Sequence, residues 1–240
     1  MGKIATYVFL DITTNGYPLE HPWSIDIAEL CMVAVKRKCI ENRQIEPRTQ
    51  NKFKMCFWIY CGFYKTGPIT GLSKEDFYEA IQLNEDVCNA INSYLSCLEK
   101  PVCIIAHDGF KLQFPLLKVK FSRLTCSLPD DLLCTDSIYA FYDILALENK
   151  EGTKSSRSKH SKPGVKVYKN MVRENFYDKE PKESYVLSDI YYRVIKGNLT
   201  SYEAEDHCQM IMQLAIEKSK DFVAWVERNH CRLSEVPLLY

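Results

Sequence analysis

An aspartate closes the apolar run Tyr7-Val8-Phe9-Leu10-Asp11, and the chain continues Ile12-Thr13-Thr14-Asn15-Gly16. A buried strand running into this Asp-x-x-Thr-x-Gly turn would leave one carboxylate at the strand's end, where a ligand can meet it. Carboxylate oxygens suit Mg²⁺ or Mn²⁺, hard ions that require oxygen donors and prefer charged ones. Tyr202, Asp206 and His207 form a second group. One helical position is about 100° of rotation, so only one of Asp206 and His207 can face a site shared with Asp11. His207 beside Asp11 would suit a transition metal; the alternative is a replacement without a ligand role. His107, in Ala106-His107-Asp108-Gly109, reads as a hydrogen-bonded residue at a strand end rather than a catalyst. Asp26, Glu29 and Asp108 lie near these positions, and nothing in their spacing places them on the side of Asp11.

The elements that must position these residues alternate in type. Residues 4–10 form a continuous apolar run, as in a central strand buried on both faces. Strands are also predicted at 27–39 and at the aromatic-rich 53–64, with a polar turn over 41–50. Ser73-Lys74-Glu75-Asp76 is an N-cap pattern with acids in the first turn. Helices are predicted over 84–98, 110–121, 137–147, 187–195, 203–219 and 220–228. Short strands are predicted at 101–106 and 132–135. Strands alternating with helices after an initial meander predict an α/β layer fold around a five-stranded mixed sheet. Residues 1–240 are read as a single domain with no internal repeat. From Lys150 to Arg173 there are eight Lys/Arg against one acid, with Ser, Gly and Pro between them. That composition marks about 148–183 as a flexible basic insertion.

Bulk properties narrow the classes. At 240 residues and 46% hydrophobic, the chain can bury a substantial core. With 31 basic and 31 acidic residues, no global field recruits a polyanion, so a nucleic-acid site must come from a local patch. Eleven Cys at scattered spacing, with Met1-Gly2-Lys3 leading straight into a strand, indicate a reduced intracellular protein, cytoplasmic or nuclear. Thiols in apolar runs act as small hydrophobes, and no Cys-x2-Cys pair offers a zinc site. No run is long enough to span a bilayer, so no membrane partner is expected.

Several blocks, in order, resemble the TREX (three-prime repair exonuclease) branch of the DEDD, or DnaQ-like, exonucleases. They are Phe9-Leu10-Asp11-Ile12-Thr13-Thr14-Asn15-Gly16, Ala28-Glu29-Leu30-Cys31-Met32-Val33-Ala34-Val35 and Ile69-Thr70-Gly71-Leu72-Ser73. Ala106-His107-Asp108-Gly109 with Phe114-Pro115-Leu116-Leu117 follows, then Ser184-Tyr185-Val186-Leu187-Ser188-Asp189-Ile190-Tyr191 and Ala204-Glu205. The similarity covers about residues 4–217 and implies an RNase H-like fold. In such enzymes two divalent ions held by four carboxylates activate water and stabilise the leaving oxygen, with a His or Tyr orienting the water.

Carried over residue by residue, that inventory is depleted. The first Asp is Asp11, the one candidate metal ligand. The Glu two residues on is Thr13, and the Asp before Phe-Pro-Leu-Leu is Gln113. The His-x-Ala-x-x-Asp block aligns without gaps on Tyr202 to His207, so Tyr202 replaces the His and His207 the last Asp. A shifted reading, Tyr202-x-x-x-Asp206, makes Asp206 a carboxylate beside a Tyr. These positions are therefore read as vestigial. The resemblance further implies contact with a 3′-terminal nucleotide at Thr14, Asn15, Gly16, Tyr17 and Ile69, with Tyr17 able to stack on a base. Lys154, Arg157, Lys159 and Lys162 of the basic insertion are candidate phosphate contacts.

Three functions follow as expectations. The first is a catalytically inactive pseudo-exonuclease that binds single-stranded DNA or RNA and needs no cofactor. The second is a protein-interaction scaffold, since the resembling cores pair as homodimers through the sheet edge, here 53–64. The third is an active 3′–5′ exonuclease with reassembled ligands, which alone would require Mg²⁺ or Mn²⁺. The chain ends soon after the last core helix, so no membrane-anchoring extension is expected.

Overall fold

In the computed structural model of the chain, residues 2–15, 25–44, 47–59, 71–151, 183–197 and 203–238 are described, with backbone alone at 147–151. Strand β1 (Thr6–Thr14) runs through the middle of the sheet, and Tyr7, Val8, Phe9 and Leu10 have no exposed surface. Four consecutive apolar residues fit a strand covered on both faces. β2 (Ile27–Lys36) pairs antiparallel with β1, setting Asp11 opposite Cys31 and Thr13 opposite Glu29. β3 (Asn51–Cys56) pairs antiparallel with β2. On the other side β4 (Val102–Ala106) and β5 (Leu133–Asp136) are parallel additions.

The predicted five strands become six, in the order β3-β2-β1-β4-β5-β6. The sixth, β6 (Cys231–Arg232), pairs antiparallel with Leu133 and Cys134. Two residues are too few to show a period, which is why no sequence pattern revealed it. The second strand ends at Lys36 instead of Cys39. There α1 (Arg37–Glu41) begins, with Arg37 Nε donating to Glu41 at 2.6 Å. The third strand begins two residues early and stops at Cys56, and Phe57 then bridges in parallel to Ile81. Residues 60–64 of the predicted edge lie outside the described part.

The remaining helices follow the predicted order. α2 (Lys74–Glu79) is capped by Ser73, whose Oγ accepts from the Asp76 N–H at 3.0 Å. α3 (Glu85–Ser96) is capped by Asn84 and covers one face of the sheet, where Tyr94 donates to the Asn51 carbonyl at 2.9 Å. The predicted helix over 110–121 divides into a π-helical turn at Gly109–Gln113 and α4 (Phe114–Arg123). Asp108 enters the turn in the left-handed region at φ 57°, and a Cβ on Gly109 would meet the Phe114 ring at 2.6 Å. Only glycine permits that approach.

α5 (Ser137–Glu151) runs four residues beyond its predicted end into the start of the basic segment. Most of that segment, with Lys154, Arg157, Lys159 and Lys162, lies outside the described residues. α6 (Leu187–Ile195), α7 (Ala204–Glu217) and α8 (Ser219–Asn229) complete the chain before β6. α7 covers the sheet face opposite α3, and its Cys208 thiol donates to the Cys31 carbonyl. One contiguous core joins the sheet, α3, α4, α7 and α8. No helix among the described residues is long and apolar enough to cross a membrane.

Candidate active site

Alternation along β1 puts Asp11 and Thr13 on the face that α7 covers, and cross-strand register adds Cys31 and Glu29 to that face. Asp11 is the meeting point of three elements. Its Oδ1 accepts from Gln113 Nε2 at 3.0 Å, and its Oδ2 from His207 Nδ1 at 2.9 Å. Gln113 arrives on the π-helical turn after β4, and His207 on the first turns of α7. A carboxylate only accepts, so Nδ1 of His207 carries the shared proton. Asp11 and Gln113 are 8% and 6% exposed, so these bonds form largely away from water.

Gln113 is bound on one side only. Its Nε2 also donates to the His107 carbonyl at 3.0 Å, so both amide hydrogens are used. Two acceptors on one atom identify it as the nitrogen and fix the amide's orientation. Oε1 is then left buried without a partner.

Glu29 is a buried neighbour of the site that sequence spacing left unplaced. It was placed on no particular side, yet register sets it opposite Thr13, on the face of Asp11. At 2% exposure its Oε2 accepts from the Ala204 N–H at 3.0 Å, and Oε1 lies 3.4 Å from Lys54 Nζ. An anion at a helix N-terminus meets unpaired N–H groups and the positive end of the dipole. Glu29 thus anchors the end of α7 that presents His207. Lys54 also pairs with Glu203 at 3.0 Å. Burial lowers its pKa, but Glu203 and Glu29 outweigh that and hold the amine above its ordinary value. The signal in the sequence was a lone charge inside the apolar strand Ile27 to Val35.

The other nearby acids are placed differently. Asp26 pairs with Lys120, and its N–H donates to Asn15 Oδ1 at 2.8 Å. Asn15 donates its own N–H to the Asp26 carbonyl at 3.2 Å, closing the base of the β1–β2 connection. Asp108 heads the π-helical turn. Asp206 is one helical position, about 100°, away from the His207 that bonds Asp11. Thr14 is 9% exposed at the end of β1. Gly16, Tyr17, Ile69 and Tyr202 lie outside the described residues.

His107 is structural. Its Nε2 donates to the Tyr185 carbonyl at 2.9 Å, which leaves Nδ1 to accept from Ser137 Oγ at 3.0 Å. Burial lowers its pKa. Beside it, Asp136 accepts from the N–H groups of Phe110 at 3.1 Å and Ile138 at 3.0 Å. Burial pushes its pKa up to about 7 despite those bonds.

The donor set does not fit two divalent ions. Both oxygens of Asp11 already face N–H groups, Thr13 is neutral, and Gln113 turns its amide nitrogen toward the centre. Among the described residues no group of three or more His, Cys, Asp or Glu side chains is placed to hold a metal ion.

Comparison with known proteins agrees with the fold and the resemblance. No family model matches the chain. It is 26% identical to mouse three prime repair exonuclease 2 over 249 residues, spanning 99% of this chain and 94% of that protein. It is 27% identical to bovine three-prime repair exonuclease 1 over 255 residues, spanning 100% of this chain and 71% of that protein. Escherichia coli exonuclease I, solved with a dA16 oligonucleotide, shares the fold at a TM-score of 0.55 and 14% identity. The match covers 91% of this chain and 42% of that one, less than half the length of the solved protein.

Proposed function

We propose that this chain, a TREX-like member of the DnaQ-like exonuclease superfamily with degenerate catalytic motifs, is a pseudo-exonuclease retained to bind a single-stranded DNA or RNA end without cutting it. The observation that carries the reading is Asp11, with its two oxygens bonded to Gln113 and His207 where a two-metal enzyme requires a set of carboxylates. Exonuclease I of the same fold is solved with an oligonucleotide, which supports binding of a single strand. Thr14 and Asn15 stand at the end of β1, the position that the resemblance assigns to the terminal nucleotide, with Asn15 bonded to Asp26.

A gel shift with labelled single-stranded DNA and RNA at varied salt tests binding. Phosphate contacts strengthen as salt falls, so a complex is expected at low salt that weakens as salt rises. No complex at any salt would remove this reading. The same oligonucleotides incubated with Mg²⁺ or Mn²⁺ test for cleavage. Metal-dependent shortening that Asp11→Ala abolishes would favour an active enzyme instead.

A second reading, an interaction scaffold, is favoured by the position of β3. It is the outer strand of the sheet, with Phe53 and Met55 only partly buried. An edge strand can pair with another chain, and a second copy would extend the sheet there. Light scattering that returns the monomer mass at micromolar concentration would count against this dimer.

A further inference from the structure

We infer that two N–H groups of the protein, Gln113 Nε2–H and His207 Nδ1–H, have taken the place of cations at Asp11, so that the site excludes divalent metal and links its elements by hydrogen bonds instead. The inference concerns the same site as the proposed function but rests on donor chemistry alone, not on nucleic-acid binding.

The geometry points to substitution rather than to a site waiting to be filled. A cation approaching Asp11 meets a donor already directed at each oxygen, the Gln113 N–H on Oδ1 and the His207 N–H on Oδ2. On the first side, Gln113 has to turn its amide over to offer Oε1. That breaks its bonds to Asp11 and to the His107 carbonyl and sets Oε1 against both acceptors. On the second side, the imidazole must leave Asp11 while α7 stays anchored by Glu29 at Ala204. Among the described residues Glu29 is the one other buried acid on this face, and it is engaged with Ala204 and Lys54. A single carboxylate with neutral neighbours leaves most of the charge of two divalent ions unmatched.

The arrangement also explains an otherwise anomalous atom. Gln113 Oε1 is buried and unpartnered. An orphan acceptor of that kind is normally selected against. Here it follows from orienting the amide so that both hydrogens bond, one of them to Asp11. The resulting knot joins β1, the turn after β4 and α7, the elements that a pair of shared ions would otherwise clamp.

Manganese binding and thermal unfolding of the full chain test this. Wild-type protein titrated with Mn²⁺ to millimolar concentration is expected to show no one-to-one binding by paramagnetic resonance. Its melting temperature is expected to be the same in Mn²⁺ and in EDTA. Stoichiometric Mn²⁺ binding that Asp11→Asn removes would overturn the inference. The variant Gln113→Asp/His207→Asp replaces both N–H donors by carboxylates. Folded by circular dichroism, it is expected to bind Mn²⁺ and to melt roughly 5–10 °C higher at a concentration about 100 times its Kd. A folded double variant that ignores Mn²⁺ would equally overturn it. If the variant does not fold, the wild-type titration decides alone. Failure of oligonucleotide binding would remove the proposed function and leave this inference standing.

Discussion

Gln113 donates its amide hydrogen to Oδ1 of Asp11 at 3.0 Å, joining residues 102 positions apart across the centre of the candidate site. Where carboxylates of a metal centre repel one another without their ions, this pair attracts without any. The consequences can be read as stability, as pH dependence and as recoverable activity.

Removing Asp11 should destabilise the protein. Asp11→Ala strips the acceptor from Gln113 Nε2 and His207 Nδ1. A buried donor left unpaired costs about 1–3 kcal/mol. For a chain of this size that is a fall in melting temperature of roughly 2–10 °C. Thermal unfolding in EDTA checks it. An unchanged or higher melting temperature would mean that Asp11 is an unrelieved charge rather than the acceptor of a knot.

Glu29 should matter for the same site at one remove. Glu29→Ala leaves the Ala204 N–H and Lys54 without their buried partner, and about 2 kcal/mol is expected to be lost. Lys54 is one-third exposed, so water softens its part of the loss. Glu29→Gln keeps an acceptor for Ala204 and should cost less. Urea unfolding of the two variants beside wild type gives the ranking, and equal losses would argue against the capping role.

Two buried groups behind the site should give pH dependences of opposite sign. Asp136 has its pKa raised by burial to about 7. It therefore favours folding most below the unfolded value of about 4, and that contribution is lost as pH rises through about 7. His107 is lowered by burial, so its contribution is present above about 6.5 and lost as pH falls through the folded value. Denaturation at a series of pH values should show a decline from pH 4 to 7 that Asp136→Asn flattens. His107→Gln should instead remove part of the loss on the acid side.

Restoring carboxylates should restore chemistry. Thr13→Glu, Gln113→Asp and His207→Asp together return the family's residues at those positions around Asp11. The expected outcome is Mn²⁺-dependent shortening of a labelled single strand from its 3′ end, absent in wild type and abolished again by Asp11→Ala. A folded triple variant that binds Mn²⁺ but leaves the strand intact would show that the losses extend beyond these ligands.

Much of the scaffold was legible because local pattern and tertiary environment agree. The apolar run Tyr7 to Leu10 in β1, the cap at Ser73 and the helix Leu187–Ile195 are each governed by neighbours in sequence. Two-residue β6 and the π-helical turn were not legible. The first takes its strand character from pairing with β5, and the second is fixed by the contact of Gly109 with Phe114. At the site, the resemblance already placed neutral Thr13 and Gln113 where it implies carboxylates. The choice between Asp206 and His207 could not be made from spacing, because helical phase depends on how α7 docks.

The sequence by itself determined most of the strands and helices and the neutral residues at positions 13 and 113, since periodicity and residue identity are local properties of the chain. Only the tertiary structure decided what the replacements do. Register put Glu29 opposite Thr13, the anchoring of α7 turned His207 onto Oδ2, and the π-helical turn brought the Gln113 amide onto Oδ1. Those bonds join residues far apart in the chain, and their direction depends on geometry within a few tenths of an ångström, which no local pattern encodes.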